Sequence, residues 1–312
     1  MPNPLKYIEH GSPYVVTSRT EEGLPFADGR RFRSIVEAIM ARAQELYPVD
    51  LSAYDLGANH FHMIIVPQDP EDFTRFVGYV KQELAHAVNR IRGRKKKTVW
   101  CDGYDSPILL GYSEALYYVA YCYTQAQAAH QADTIEEREE NKEGATSWGQ
   151  FISGSYSRTY KRLYRTDFAQ GIDQDEKRRE KRSEHTLVLS PYAWLKRVAP
   201  TMPEEEAKAE VIRRVRELEQ QFRTERQEKG IAIKKHTSPE RAESYVPTKR
   251  GVRMQCICWD IPKRIQFLRW TKERIEKCRA VLSLWRKGDR TVAWPPGFFP
   301  PCFPVTASLL PS

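Results

Sequence analysis

The run His60-Phe61-His62-Met63-Ile64-Ile65-Val66-Pro67 constrains this chain more than any other segment. Strand side chains alternate with period two, so His60 and His62 share one face while Phe61 points to the other and the strand continues as core. Leu51 to Leu56, followed by the turn-like Gly57-Ala58-Asn59, leads into this strand and gives a hairpin. Two imidazoles side by side on a rigid strand can supply two ligands of a divalent metal. The spacing alone does not separate ligands from ordinary hydrogen-bonded histidines.

The neighbouring segments set the context. Pro13 to Thr20 is rich in β-branched and aromatic residues and reads as a strand. From Arg31 to Tyr47, Phe32, Ile35, Val36, Ile39 and Ala43 recur at helical spacing, and Pro48 ends the helix. Pro70 to Arg90 is a second helix with Phe73, Phe76, Val77, Val80 and Leu84 on its apolar side. Thr98-Val99-Trp100 and Pro107 to Leu110 are short apolar pieces, and a third helix runs from a cap at Ser113 to about Ala132. Strand, helix, strand, strand, helix, strand is the ferredoxin-like or RRM-like α+β plan, here with one extra helix. That fold hosts unrelated functions, so the site must decide the activity.

Asp133 to Glu143 is almost wholly charged, and Gly144 marks a boundary. We therefore divide the chain into 1–150 and a mostly helical, basic extension over 151–312. Within the extension, Glu176 to Arg182 is a solvated charge run, and Thr201 to Glu206 is a helix start with proline in the first turn and acids facing the dipole. Val211, Val215, Leu218 and Phe222 give that helix one narrow stripe, suited to a single packing partner. A last helix, Pro262 to Gly288, carries Ile265, Leu268, Ile275, Cys278 and Leu282 at core-like spacing. The proline- and aromatic-rich tail after Trp294 reads as extended chain lying over another surface.

Composition excludes several classes. The 50 Lys and Arg outnumber 41 acids, giving a net charge of +9 that favours a polyanionic partner, nucleic acid before an anionic membrane. No stretch reaches the length of a membrane span and the N-terminus has no apolar signal region, so a soluble, cytoplasmic protein is expected. Six scattered cysteines fit reduced thiols, and Cys256-x-Cys258 lacks a second pair at zinc-finger spacing. The densest basic patch, Arg90-Ile-Arg92-Gly-Arg94-Lys95-Lys96-Lys97, is read as a phosphate-contacting segment.

The third helix, Tyr117-Tyr-Val-Ala-Tyr121-Cys-Tyr-Thr-Gln125, crowds tyrosines beside an amide. Tyr121 and Gln125 are four apart and project from one face. The amide oxygen can complete a metal site begun by the histidines, with the phenol beside it. Tyrosine is a poor nucleophile at its ordinary pKa near 10. Attack on a phosphodiester therefore calls for an ion that neutralises the phosphate and holds it in line.

With these residues in place, the chain resembles the single-tyrosine HUH transposases, especially the REP-associated tyrosine transposases. The resemblance is carried by PYVVTSRT, YDLGANHFHMIIVP, VWCDGYDSPILL and YYVAYCYTQAQAA, in order, over roughly residues 13–150. It implies the HUH endonuclease fold, His60, His62 and Gln125 as ligands of Mg²⁺ or Mn²⁺, and Tyr121 as nucleophile. Imidazoles intrinsically suit Mn²⁺ better. It further implies a single-stranded DNA endonuclease and strand transferase, acting on hairpin-bearing DNA through a 5′-phosphotyrosine intermediate. Where REP-associated members usually carry Asn-Pro, this chain has Gln125-Ala126, and Gln at that place is closer to the related insertion-sequence transposases. Some relatives exchange the tyrosine helix between two subunits, which leaves a homodimer open. The alternative from a different class is a DNA hairpin-binding module without nuclease activity.

Overall fold

A computed structural model describes residues 6–24, 26, 30–57, 59–95, 97–101, 103–141, 144–161, 183–233 and 254–301. Lys96, Asp102, Cys302 and the charge run 176–182 lie outside the described residues.

The chain builds β1 (Tyr14–Arg19), α1 (Arg30–Leu46), β2 (Val49–Leu56), β3 (His60–Pro67), α2 (Pro70–Ile91) and β4 (Ile108–Leu109) in the expected order. The sheet order β2-β3-β1-β4, with β1 and β2 antiparallel to β3, is the ferredoxin-like arrangement. Two short strands extend its edges: β5 (Ala145–Thr146) beside β2 and β8 (Cys256–Ile257) parallel to β4. The fold is thus α+β, with a mostly antiparallel sheet between two helical layers. Asp69 starts α2 by accepting the amides of Glu71 and Asp72, ahead of Pro70 in the first turn.

The period-two alternation of β3 decides what each face becomes. Phe61, Met63 and Ile65 join one core with Phe32 and Val36 of α1 and with Phe73, Phe76 and Val80 of α2. Ile64 and Val66 join another with Ala115, Val119 and Ala120 of α3 (Tyr112–Tyr123). His60 and His62 therefore face the α3 layer.

The extension packs on both layers. A hairpin of β6 (Ser157–Lys161) and β7 (Glu184–Val188) lies against α1, where Gln44 and Glu45 accept the amides of Val188 at 2.9 Å and Thr186 at 3.0 Å. Helix α8 (Glu204–Glu228), which follows the short α7 (Leu195–Val198), lays its stripe of Val211, Val215 and Leu218 into the α3 core, as its narrow pattern implied. The tail returns to the N-terminal segment, where the Gly297 carbonyl accepts the Ile8 amide at 3.1 Å. No helix among the described residues is long and apolar enough to cross a membrane.

Four expectations need correction. The third helix starts at Tyr112 with Gly111 at its cap, not at Ser113, and breaks at Thr124. Thr124 turns its hydroxyl back onto the Ala120 carbonyl at 3.2 Å, and only a single turn, α4 (Gln125–Ala128), follows instead of helix to Ala132. The charged stretch 133–143 is not merely a boundary: it holds α5 (Ile135–Asn141), with Ile135 and Arg138 buried, ahead of the short α6 (Trp148–Ser153). The extension also contributes strands, not helices alone. Finally, α9 (Ile261–Arg286) is mostly exposed: Ile265 is 43% and Leu268 38% accessible, and only Thr271 and Cys278 are buried. Spacing marked one face of this helix, but no described element covers that part of it.

Candidate active site

His60 and His62 stand at the open end of β3 with ring centroids 5.1 Å apart and planes nearly perpendicular. Each ring is fixed through Nδ1. The His60 Nδ1 lies 2.9 Å from the Asn59 side-chain oxygen, and the His62 Nδ1 lies 3.2 Å from the Thr17 hydroxyl. Thr17 comes from β1, where the ladder pairs it with His62. A proton held on Nδ1 by such a partner leaves the lone pair on Nε2, the usual way a protein orients ligating imidazoles. Burial lowers the pKa of both rings, His62 to about 3 with the His60 charge adding to the effect. Both are neutral at pH 7, the form that can bind a metal.

Helix α3 brings the other two residues. The Tyr121 ring lies 6.2 Å from the His62 ring. Gln125 follows at the helix break, where its Nε2 donates to the Tyr121 carbonyl at 2.8 Å, and its side chain lies near enough to the His60 ring and the Tyr121 phenol to influence the titration of both. All four residues read from the motifs thus meet in one place. Burial, with Tyr117 alongside, raises the Tyr121 pKa against the opposing Gln125 contact, so its oxygen is protonated at neutral pH. Tyr117 stacks nearly parallel on Tyr121 at 5.8 Å, Tyr118 meets it edge-on at 6.1 Å, and Phe222 of α8 closes the far side at 6.3 Å. Tyr123 faces the opposite way and is fully buried between Trp148 and Phe151.

Sequence reasoning missed what lies behind the histidines. Asp55 pairs with His62 across the β2–β3 ladder and is completely buried. Arg138 of α5 reaches it with both terminal nitrogens and also donates to the Leu56 carbonyl at 2.9 Å. Burial pushes the Asp55 pKa up, against the opposing pull of Arg138. The Asp55 charge in turn favours the protonated form of His60. Nothing in the acidic stretch around Arg138 distinguishes it from solvated charge. Gly57 has a role that the sequence hinted at only as a turn. A Cβ there would lie 3.2 Å from the His60 Cε1 and 3.6 Å from both ring nitrogens. Gly57→Ala is therefore expected to leave the fold intact but turn the His60 ring, weakening metal affinity roughly 10-fold or more, the usual scale for lost ligand support. Titrating cleavage against Mn²⁺ checks this; an unchanged midpoint would contradict it.

The basic run lies elsewhere. It leaves the end of α2, in the layer opposite α3, and returns through Val99 and Trp100 to pair with Glu21 and Thr20. Arg92 donates to the Phe26 carbonyl at 3.2 Å and Arg94 to the Thr98 carbonyl at 3.1 Å, so both help fold the turn. Arg90, Lys95 and Lys97 are exposed. Arg19, next to this turn, is paired in register with His60, which places the run at the same end of the sheet as the histidines.

Fold and site together define a class: a ferredoxin-like sheet whose α3 face carries two neutral imidazoles, an amide and a phenol. Residues 20–123 match the family model described as "Transposase IS200 like", so the resemblance carried by the motifs is shown for the segment from the end of β1 to the end of α3. His60, His62 and Tyr121 fall inside the match, and Gln125 lies two residues beyond it. Among solved structures, that of a REP-associated tyrosine transposase bound to a REP hairpin is similar at 15% identity, over 56% of this chain and 95% of that one, with a TM-score of 0.39. No curated protein matches the chain.

Proposed function

We propose that this protein is a metal-dependent single-stranded DNA endonuclease and strand transferase, a transposase of the single-tyrosine type. The observation that carries the reading is the convergence of Tyr121 and Gln125 on the His60/His62 pair. The donor set fits a divalent ion. The ligands would be the two Nε2 atoms, left open by the contacts at Nδ1, and the Gln125 amide oxygen. A bound Mg²⁺ or Mn²⁺ would neutralise the scissile phosphate.

The residues of the chain then divide the work. Asn59 and Thr17 hold the imidazoles in orientation. Tyr117 and Phe222 hold the Tyr121 ring in place. The phenol oxygen bonds to phosphorus as the bond to the 3′-oxygen breaks; its proton passes to solvent, and the departing 3′-oxygen takes one up as a hydroxyl. The product is a 5′-phosphotyrosine, whose bond is spent when another 3′-hydroxyl attacks and regenerates the phenol. Because Tyr121 is protonated at rest, its proton must leave as the oxygen bonds to phosphorus. Arg90, Lys95 and Lys97 would contact phosphates at the same end of the sheet, and a hairpin would present the strand.

His60→Ala and His62→Ala are each expected to abolish metal-dependent cleavage while DNA affinity stays within a few-fold, since cationic contacts carry most of it. Cleavage and binding of a labelled hairpin oligonucleotide check this in chelator-treated buffer with metal restored. Wild-type cleavage by either variant would remove the metal assignment. A wild type that binds the hairpin yet never cleaves it with either metal would favour the binding module.

A further inference from the structure

We infer that α9 is a second DNA-contacting arm, along which single-stranded DNA leaving the active site is held; the inference rests on the nuclease reading above. The two long helices of the extension differ in how they treat their charges. Helix α8 carries six Lys and Arg among eight Glu. Its arginines are consumed in ion pairs: Arg213 with Glu210, Arg216 with Glu136 and Glu219, and Arg226 with Asp133 at 2.9 Å. Helix α9 carries eight Lys and Arg and only two Glu. Among the described residues, Arg269, Lys272, Arg279 and Arg286 are exposed and pair with no acid.

Lys272, Arg279 and Arg286 are seven residues apart, so they lie along one line of the helix about 10 Å from one another, with Arg269 one turn before Lys272. Glu273 and Glu276 lie within a turn of Arg269, Lys272 and Arg279 but form no ion pair with them, so this mostly exposed side of the helix keeps a net positive charge that a polyanion would offset. The cation row is therefore complementary to a phosphate backbone.

Position strengthens the argument. The root of α9 is fastened beside the site: the Trp259 amide donates to the buried Glu114 carboxylate of α3, and Lys263 donates to the Leu110 carbonyl at 2.6 Å. Trp259 is 55% exposed and its ring meets Tyr117 edge-on at 5.9 Å, and Tyr117 stacks on Tyr121. Rings thus run from Tyr121 to the root of α9, about 12 Å of helix before Arg269. Exposed aromatics beside cations are the elements by which proteins hold unpaired strands, bases stacking and phosphates pairing.

The test compares full-length wild type with the fourfold variant Arg269→Ala/Lys272→Ala/Arg279→Ala/Arg286→Ala, and separately with Trp259→Ala. The probes are fluorescent oligothymidylates of 6 and 30 nucleotides, with chelator present so that no cleavage is involved. For the 30-mer, the fourfold variant should bind at least 10-fold more weakly, and the slope of log K against log salt should flatten by roughly 0.7 per lost contact. Trp259→Ala should weaken binding with the slope unchanged. The 6-mer, which can cover the site and Trp259 but not span the row, should bind the fourfold variant nearly as it binds wild type and should lose affinity with Trp259→Ala. Unchanged affinity and slope for the 30-mer would overturn the proposal, as would a change in oligomeric state at unchanged DNA affinity. Binding is read without chemistry, so a wild type that uses α9 but forms no adduct would refute the nuclease reading alone.

Discussion

Tyr121→Phe is expected to lose covalent capture of DNA completely while keeping the fold, the metal site and DNA affinity. Phe retains the ring that stacks on Tyr117 and packs against Phe222, so only the nucleophilic oxygen is removed. The Gln125 amide keeps its bond to the Tyr121 backbone carbonyl, which the substitution leaves in place. Tyr117→Phe and Tyr118→Phe should retain substantial activity, because their rings contribute packing. Tyr123 is closed off from DNA by Trp148 and Phe151, and burial raises its pKa strongly, so it cannot substitute as nucleophile. The readout is a denaturant-stable protein–DNA band. Its persistence in Tyr121→Phe together with its loss in Tyr117→Phe would move the nucleophile one turn along the helix.

The second large effect concerns stability. Arg138→Ala should destabilise the protein by about 3–5 kcal/mol, the scale for stranding one charge of a buried pair. Asp55 would remain completely buried, having lost both nitrogens that hold it. Asp55→Leu should cost a similar amount by leaving the buried guanidinium without its carboxylate. The double variant Asp55→Leu/Arg138→Met should recover much of the loss, because two apolar side chains strand no charge. Denaturant midpoints of the three variants measure this coupling; simple addition of the two single effects would show that the pair is not a unit. Because Asp55 backs His62 and influences His60, the double variant should fold yet show altered metal dependence.

The parts of this fold legible in the sequence were those written in local periodicity. Alternation along His60 to Val66 assigned each side chain to its face, whereas Tyr121 and Gln125 lie beside the histidines across a helix break at Thr124 that their i, i+4 spacing did not foresee. What escaped was set by partners distant in the chain. Thr17 is 45 residues from His62, and only the β1–β3 register joins them. Arg138 is 83 residues from Asp55 and sits among acids that resemble solvated surface. The two-residue strand β8 exists because the edge of β4 accepts it, and two residues carry no period of their own. The α9 pattern misled for the converse reason. Apolar spacing says which face of a helix could be buried, whereas burial also requires an element to cover it.

The most direct test of the account is identification of the amino acid that DNA becomes attached to. Wild-type protein is incubated with single-stranded hairpin DNA and Mn²⁺, the adduct is digested, and the modified peptide is sequenced by mass spectrometry. The expected result is a nucleotide 5′-phosphate on Tyr121, formed only with metal and absent from His60→Ala. A nucleotide on any other residue, or cleavage that proceeds with no covalent intermediate, would contradict it.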